Sequence, residues 1–422
     1  HDNVTVMDYT SLYPTSIMAF NLSPETFIAS EKGCRQLGID IEDVVKQLQG
    51  DGIKYVDTGK AESLFGERYL FYSQEHKLGL LPYVLKKLFL KRVEITDGLT
   101  SGKYVGNERV AMQKRQWAYK IILNSAYGAM GFSQFRLYKP EVADAITYFA
   151  RQALKFAVLK FKDYGHKTLY GDTDSIFIKS NGKTEPEMVN QLKIFNESLK
   201  EDLVKKYNKG LQEDYMLMDL KFEYDMEKIY FGDSKKRYYG IIRDTGEKYI
   251  RGMNIIRKDT PEFMKSALNK MAEFAVREQL TLNHVIALRK KIESVDYKKI
   301  GISKSFTRKF DEYIKTMPQH VKASVWANDK LKTAIKNTDN PYLFYIKSHC
   351  EEDLKPRDRQ TAICLNEEDL NLIDKRKDIF EIDYETFFEK QVLDQLEEFD
   401  KIDSVKDILE EYSEIIKEKE II

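Results

Sequence analysis

The 422-residue sequence predicts an α+β fold that combines antiparallel strands with long helices. Two short apolar runs, 168–170 and 176–178, flank a polar turn and predict a β-hairpin. A helical apolar pattern starts near residue 81 and a second covers about 107–128, so a pair of helices is expected there. Aromatic and β-branched residues over 216–256 predict further strands.

The hairpin turn carries two carboxylates, Asp172 and Asp174, within the sequence Tyr-Gly-Asp-Thr-Asp-Ser. Carboxylates on a rigid hairpin can hold a hard divalent cation such as Mg²⁺, which prefers oxygen ligands. Aspartate is also a favourable turn residue, so a purely structural role is the alternative interpretation.

A third carboxylate, Asp8, follows the alternating stretch 4–7, which is typical of a strand. Its place at the end of a strand would allow it to meet the hairpin carboxylates in space. The alternative is that Asp8 or Ser11 simply caps a helix.

Lys120, Asn124 and Tyr127 are spaced i, i+4 and i+7, so a helix presents them on one face. An ammonium, an amide and a phenol on one face suit a phosphate, a sugar or a base. The alternative is an ordinary solvated polar face.

In chain order, the segments around Asp8, Lys120 and Asp172–Asp174 resemble motifs A, B and C of the family B DNA polymerases. A fourth element, Lys235-Lys236-Arg237-Tyr238, matches the Lys-Lys-Arg-Tyr primer-binding motif of that family. The resemblance continues through 251–252, 257–261 and 389–393. It covers nearly the whole chain, but only the polymerase half of a typical member.

The resemblance implies a right-hand polymerase architecture. An antiparallel-sheet palm is expected over 1–82, with an insertion, and again over 129–256. Two-helix fingers are expected over 83–128, and a mainly helical thumb with an acidic C-terminal tail over 257–422. The implied activity is template-dependent addition of deoxynucleotides to a primer 3′-hydroxyl.

The family's chemistry uses two Mg²⁺ ions, with Mn²⁺ as a substitute. The resemblance implies that Asp8 and Asp174 are the metal ligands and that Asp172 assists. Lys120 would contact the triphosphate and stabilise charge on the leaving pyrophosphate. Arg92 would hold the γ-phosphate.

Other motif positions imply nucleotide contacts. The backbone amides of Ser11 and Leu12 would bind triphosphate oxygens. Tyr13 matches the steric gate that rejects a ribose 2′-hydroxyl, with core packing as its alternative role. Asn124 and Tyr127 would flank the nascent base pair. The chain departs from the family at Thr96, where a lysine often follows the arginine by one helical turn.

The net charge of zero conceals a strong asymmetry. Residues 381–422 carry 15 acidic and five basic side chains, whereas residues 235–309 carry 19 basic and eight acidic ones. A basic surface attracts a polyanion, so Lys235, Lys236, Arg237 and Tyr238 are expected to hold primer–template DNA. The alternative is a solvated basic helix face.

Three scattered cysteines and the lack of a Cys-x-x-Cys pair argue against a zinc site and indicate a reducing compartment. No apolar run is long enough for a membrane span. The expected location is intracellular, in the cytoplasm or nucleoid, or in a nucleus.

Only seven residues precede Asp8, so we expect no exonuclease domain in this chain. Two alternatives to an active core stay open: a catalytically silent scaffold, and one subunit of a split polymerase with a separate N-terminal or exonuclease partner. A sliding clamp is a further conceivable partner, although no clear clamp motif is present.

Overall fold

The computed structural model describes residues 1–59, 67–256, 260–313, 316–353, 355 and 357–420. The chain divides into two compact units, Asp2–Met226 (the N-terminal unit) and Glu227–Ile422 with His1 (the C-terminal unit). The division falls inside a strand, within the segment expected to complete the palm. Of the motif at 257–261, Arg257, Lys258 and Asp259 lie outside the described residues.

The N-terminal unit contains seven strands and eight helices among the residues that the structure describes. The strands are β1 (Asp2–Tyr9), β2 (Phe27–Ser30), β3 (Tyr55–Asp57), β4 (Tyr69–Tyr72), β5 (Thr168–Asp172), β6 (Ser175–Lys179) and the first part of β7 (Leu220–Phe231). The helices are α1 (Leu12–Ala19), α2 (Glu31–Gln36), α3 (Ile41–Gly50), α4 (Leu80–Thr100), α5 (Gly106–Gly131), α6 (Pro140–Asp163), α7 (Glu185–Ser198) and α8 (Lys205–Tyr207). A π-helical segment, Leu199–Val204, joins α7 to α8.

The main sheet of this unit has the order β5-β6-β1-β7. β5 and β6 form the predicted hairpin, with Asp172 paired to Ser175 across a two-residue turn. β1 runs antiparallel to β6, and its register pairs Val4 with Lys179 and Asp8 with Ser175. The register therefore brings the end of β1 beside the hairpin turn.

Helices α1 and α6 cover this sheet and fix the end of β1. Phe20 and Phe149 are fully buried and stacked, with ring centroids 3.7 Å apart. The hydroxyl of Tyr9, at the end of β1, donates a hydrogen bond to Ala153 O of α6 at 2.9 Å. Because β1 and α1 are both anchored in this core, the turn between them has little freedom to move.

The segment 31–80 has the mixed structure that the sequence predicts. It contributes α2, α3 and the three-stranded sheet β2-β4-β3. Buried amides tie it to α1: Asn21 Nδ2 donates to Tyr72 O at 2.7 Å, and Gln74 Nε2 donates to Met18 O at 2.6 Å. These bonds satisfy buried backbone carbonyls that would otherwise be costly.

The helical hairpin of α4 and α5 confirms the predicted pair of helices. Both helices extend a few residues beyond the expected bounds. Only one side of each helix is buried, through Leu85 and Phe89 on α4 and Leu123 and Met130 on α5. The distal part of the hairpin therefore exposes its side chains to solvent.

The C-terminal unit contains the end of β7 together with further strands and helices. The strands are β8 (Tyr238–Ile242), β9 (Lys248–Arg251), β10 (Ile302–Ser303), β11 (Tyr342–Ser348), β12 (Ala362–Leu365) and β13 (Phe380–Ile382). The helices are α9 (Glu262–Val276), α10 (Leu282–Glu293), α11 (Gln319–Trp326), α12 (Leu372–Lys375), α13 (Tyr384–Phe388), α14 (Asp394–Leu396) and α15 (Asp403–Glu420).

Helices predominate after Pro261, as the sequence predicts, but they share the region with a sheet that the helical pattern did not reveal. Strands β10, β11 and β12 are adjacent in that order, and β13 pairs with β11. The acidic segment near the C-terminus also differs from a free tail. Val405, Ile408 and Tyr412 of α15 are buried in the core of the unit. In the described part of the chain, no helix is both long and apolar enough to cross a bilayer.

Candidate active site

Two carboxylates that are far apart in the sequence meet at the end of β1. The backbone N–H of Tyr9 donates a hydrogen bond to Asp174 O at 2.8 Å, which joins β1 directly to the hairpin turn. The turn itself is tight, since Asp174 N donates to Asp172 O at 2.6 Å and Thr173 adopts a φ of 53°. A positive φ at threonine is costly, and such strain is characteristic of functional turns.

Asp8 has an electrostatic environment that disfavours its charged form. Burial, followed by the charges of Asp174 and Glu223, raises its pKa to about 7, against a smaller opposing effect of Lys120. Three carboxylates thus concentrate negative charge at one place. A divalent cation would relieve this repulsion, so the donor set fits Mg²⁺ or Mn²⁺. In the described ranges, no group of three or more His, Cys, Asp or Glu is placed to hold a metal ion.

The turn after β1 leads into the N-terminus of α1. Ser11 occupies this turn in the left-handed conformation, with φ 51° and ψ 57°. Leu12 and Tyr13 form the first turn of α1, where backbone N–H groups have no partner within the helix. The N-terminus of a helix favours anions through these N–H groups and the helix dipole. The local structure therefore suits phosphate oxygens.

Arg92 of α4 approaches the same turn. Its Nη1 donates a hydrogen bond to Ser11 Oγ at 2.7 Å. Its Nε is buried and has no hydrogen-bond acceptor among the described residues, and burial lowers the pKa of the guanidinium. A buried donor without an acceptor costs free energy, and an anionic ligand at this position would satisfy it.

Helix α5 presents Lys120, Asn124 and Tyr127 to the same cleft, as the i, i+4, i+7 spacing predicts. The cleft has a volume of about 420 Å³. The rings of Tyr13 and Tyr127 meet edge to face, with centroids 4.8 Å apart. The residues lining the cleft are Asp8, Tyr9, Thr10, Ser11, Leu12, Tyr13, Arg92, Lys120, Asn124, Tyr127, Thr173 and Asp174. Nine of the ten residues that the sequence analysis assigned to catalysis or nucleotide binding thus line one cleft; the exception is Asp172.

Asp172 lies outside the lining of this cleft. Its carboxylate accepts a hydrogen bond from Thr173 Oγ1 at 3.1 Å. Asp172 is the last residue of β5, whereas Asp174 lies in the turn, where its backbone carbonyl accepts the hydrogen bond from Tyr9 N of β1. The assisting role of Asp172 stays a prediction.

Thr96 does not supply the positive charge of the lysine that the sequence resemblance leads one to expect at this position. Its hydroxyl donates to Arg92 O at 2.8 Å within α4. The neighbouring Lys91 is exposed and does not line the cleft. The cations that line the cleft are therefore Arg92 and Lys120.

In the C-terminal unit, Lys235, Lys236 and Arg237 lie between β7 and β8, and Tyr238 is the first residue of β8. Lys235 and Lys236 are exposed, and Lys236 has a φ of 65°. Arg237 forms a 3.5 Å ion pair with Glu398. Tyr238 is buried and stacks on Tyr249 at 5.6 Å. The two lysines are thus the fully exposed members of this element.

Sequence reasoning missed Glu223, Thr10 and Thr173. Glu223 lies on β7, in an alternating strand where an acidic residue carries no distinctive signal. Thr173 could have been found, because it is the residue between the two hairpin aspartates.

The sequence model described as DNA polymerase family B matches residues 1–401. A DNA polymerase of Archaeoglobus fulgidus is 28% identical over 78% of this chain and 36% of its own length. DNA polymerase 1 of Saccharolobus solfataricus is 26% identical over 84% of this chain and 36% of its own length. The chain thus spans about a third of the length of these relatives.

Among solved structures, the family B DNA polymerase from Pyrobaculum calidifontis has a similar fold. The TM-score is 0.59 at 24% identity, and the match covers 94% of this chain and 44% of that one. This likeness supports the α+β fold with antiparallel sheets.

Proposed function

The chain belongs to DNA polymerase family B, and from that premise we propose that it is a DNA-directed DNA polymerase core. Its reaction would join the 3′-hydroxyl of a primer to the α-phosphate of a deoxynucleoside triphosphate, as a template directs. The new phosphodiester bond forms while the bond to the β-phosphate breaks, and pyrophosphate leaves. The proposed substrates are primer–template DNA and deoxynucleotides.

The observation that carries the proposal is that two carboxylates and two cations line one cleft. Asp8 and Asp174 line it together with Arg92 and Lys120. Within the described ranges, neither cation has a carboxylate oxygen within 4.0 Å. Carboxylates suit divalent cations and the two basic side chains suit a polyphosphate, so the cleft fits both ligands.

The carboxylates of Asp8 and Asp174 would hold the divalent cations. Bound Mg²⁺, or Mn²⁺ in its place, would stabilise charge on the attacking and leaving oxygens of the in-line displacement. The raised pKa of Asp8 supports this assignment, since repulsion among the carboxylates falls when a cation binds.

The triphosphate would bind between α1 and the helical hairpin. The N–H groups of Ser11 and Leu12 and the guanidinium of Arg92 would donate hydrogen bonds to its oxygens. Lys120 would approach the bridging region and stabilise charge on the leaving pyrophosphate. With Thr96 bonded within its own helix, Arg92 and Lys120 are the cations that line the cleft in the described part of the chain.

Tyr13 and Tyr127 would shape the sugar and base region. Tyr13 would act as the steric gate against a ribose 2′-hydroxyl, held in place by its contact with Tyr127. Asn124 and Tyr127 would contact the nascent base pair. The exposed Lys235 and Lys236, with Arg237 and Tyr238, would hold the primer strand through its phosphates, which position DNA without reading its sequence.

We assign the predicted segments accordingly: palm over 1–82 and 129–256, fingers over 83–128 and thumb over 257–422. The α4–α5 hairpin supports the fingers assignment. The helices after Pro261 support the thumb assignment.

The test is extension of a labelled primer on a template with Mg²⁺ and deoxynucleotides. We expect the wild type to extend the primer and Asp174→Ala to lose at least about 1,000-fold in rate, as befits a lost ligand of the catalytic cation. Asp163→Ala is the matched control, because Asp163 is an exposed aspartate at the end of α6.

Tight DNA binding without extension would contradict the proposal and favour a silent scaffold. Extension that appears only after a separate N-terminal or exonuclease polypeptide is added would instead establish a split polymerase.

A further inference from the structure

Trp117 occupies an unusual position for a tryptophan. It lies on α5 one turn before Lys120, and 59% of its surface is exposed. The sequence contains only two tryptophans, and the other, Trp326, packs against the core of the C-terminal unit. A large exposed indole contributes little to the core, so packing alone does not account for Trp117.

The indole of Trp117 is the neighbour of the Lys120 ammonium. Lys120 Nζ lies 5.7 Å from the ring centroid, within the range of a cation–π interaction. Across the described ranges, the Lys120 ammonium has neither an ion pair nor a hydrogen bond. The two residues also line a shallow pocket with Ile121, Asn124 and Ser125, adjoining the main cleft through Lys120 and Asn124.

We propose that the Trp117 indole positions the Lys120 ammonium for the triphosphate of the incoming nucleotide. A lysine side chain has four rotatable carbon–carbon bonds, and a ring beside it restricts where the charge can lie. This inference rests on the proposed function, since it concerns the nucleotide site of that reaction. Trp117 acts here through Lys120 and is a positioning residue.

The position of the Lys120 ammonium beside the indole has two consequences for the cleft. Within the described ranges, the Lys120 ammonium held at the indole forms no ion pair with Asp8, and its charge only weakly opposes the rise in the Asp8 pKa. A phosphate oxygen attracts the ammonium more strongly than an aromatic face does, so the charge transfers to the triphosphate when the nucleotide arrives.

The departure at Thr96 makes this positioning more important. The Thr96 hydroxyl is bonded to Arg92 O, so no cation follows Arg92 on α4 at that place. Arg92 and Lys120 must then bind the triphosphate that three cations would bind in a protein with that lysine. Restricting one of the two compensates for part of this loss by lowering the entropy cost of binding.

The experiment compares Trp117→Phe, which keeps an aromatic face, with Trp117→Leu, which keeps only apolar bulk. Each is made in the wild type and in a Lys120→Met background. Nucleotide Kd is measured by calorimetry on the complex with a dideoxy-terminated primer–template, where no bond can form. Trp117 is exposed, so neither substitution should disturb folding, and circular dichroism checks this.

We expect Trp117→Leu to raise Kd about three- to fivefold and Trp117→Phe to raise it less than twofold. In the Lys120→Met background the difference between the two substitutions should vanish, because the indole then has no charge to position. An equal loss from Trp117→Leu with or without Lys120 would overturn the inference.

Fluorescence provides a second readout. In a Trp326→Phe variant the emission of Trp117 alone should change when the nucleotide binds, and the change should be absent when Lys120 is also replaced by Met. An unchanged emission on nucleotide binding would contradict the transfer of the ammonium.

The two proposals can fail separately. A protein that shows the coupling but extends no primer contradicts the polymerase proposal and supports the positioning role. A protein that extends primers without any coupling contradicts the positioning role alone.

Discussion

Arg92 of α4 donates a hydrogen bond to Ser11 Oγ, 2.7 Å away, in the turn that follows β1. This bond joins the helical hairpin to the carboxylate end of the sheet. In the part of the chain that the structure describes, the buried Nε of Arg92 is left without an acceptor. A protein rarely buries a charged donor in this way unless a ligand completes its hydrogen bonds.

Replacement of Arg92 by Ala should therefore weaken nucleotide binding. Charge-assisted hydrogen bonds contribute about 1.5–3 kcal/mol each, so we expect KM for deoxynucleotides to rise about 10- to 100-fold. Steady-state primer extension measures this. Lys91→Ala is the control, because Lys91 is the adjacent, exposed cation outside the cleft. Equal effects of the two changes would contradict the assigned role of Arg92.

Tyr13 should determine sugar selection. Its ring is held against Tyr127, and an extra hydroxyl on the substrate would overpack this site. Overpacking costs about 1–3 kcal/mol, so Tyr13→Ala should lower discrimination against ribonucleotides about 10- to 100-fold. Competition between ribo- and deoxynucleotides in single-turnover extension tests this. Tyr13→Phe keeps the ring and should discriminate like the wild type; loss of discrimination in that variant would argue against a steric cause.

Asp8 should make stability depend on pH when no divalent cation is present. Its pKa is 3.8 in an unfolded chain and about 7 in the folded protein, mainly because of burial. Between these values the folded state holds a proton that the unfolded state releases, so stability falls as pH rises from about 4 to about 7.

Asp8→Asn removes this penalty. In EDTA the variant should gain on the order of 1–2 kcal/mol over the wild type at pH 8, since solvent reaches part of the carboxyl and screens it. At pH 4 the gain should be small. Urea unfolding at both pH values measures the difference, and a gain that is the same at pH 4 and pH 8 would rule out titration of Asp8 as its source.

The stacked pair Phe20 and Phe149 should be essential to the N-terminal unit. Both rings are fully buried, so Phe149→Ala leaves a cavity and should cost about 3–5 kcal/mol. Denaturation followed by far-UV circular dichroism checks this. Leu159→Ala, a 60% exposed position on the same helix, should cost less than about 0.5 kcal/mol. Comparable losses from the two changes would show that burial does not set the cost.

Several features could be predicted because they depend on neighbours in the sequence. The β5–β6 hairpin follows from two apolar runs around a turn, and the face of α5 with Lys120, Asn124 and Tyr127 follows from a 3.6-residue period. The resemblance to family B extended these local signals to Asp8, Ser11 and Arg92. The sheet of β10–β13 was missed, because short strands within a helical region acquire stability only from partners distant in the chain.

The sequence by itself determined the α+β class, the helical hairpin and the identity of nine of the cleft residues, since periodicity and motif spacing are properties of short segments. Only the tertiary structure decided that Asp172 lies outside the cleft lining, because Asp172 ends β5 whereas the turn residue Asp174 is bonded through its backbone to Tyr9 of β1. It likewise decided the raised pKa of Asp8, the added charge of Glu223 and the pairing of Trp117 with Lys120. Burial, charge proximity and side-chain contact all depend on distances in space that linear order does not specify.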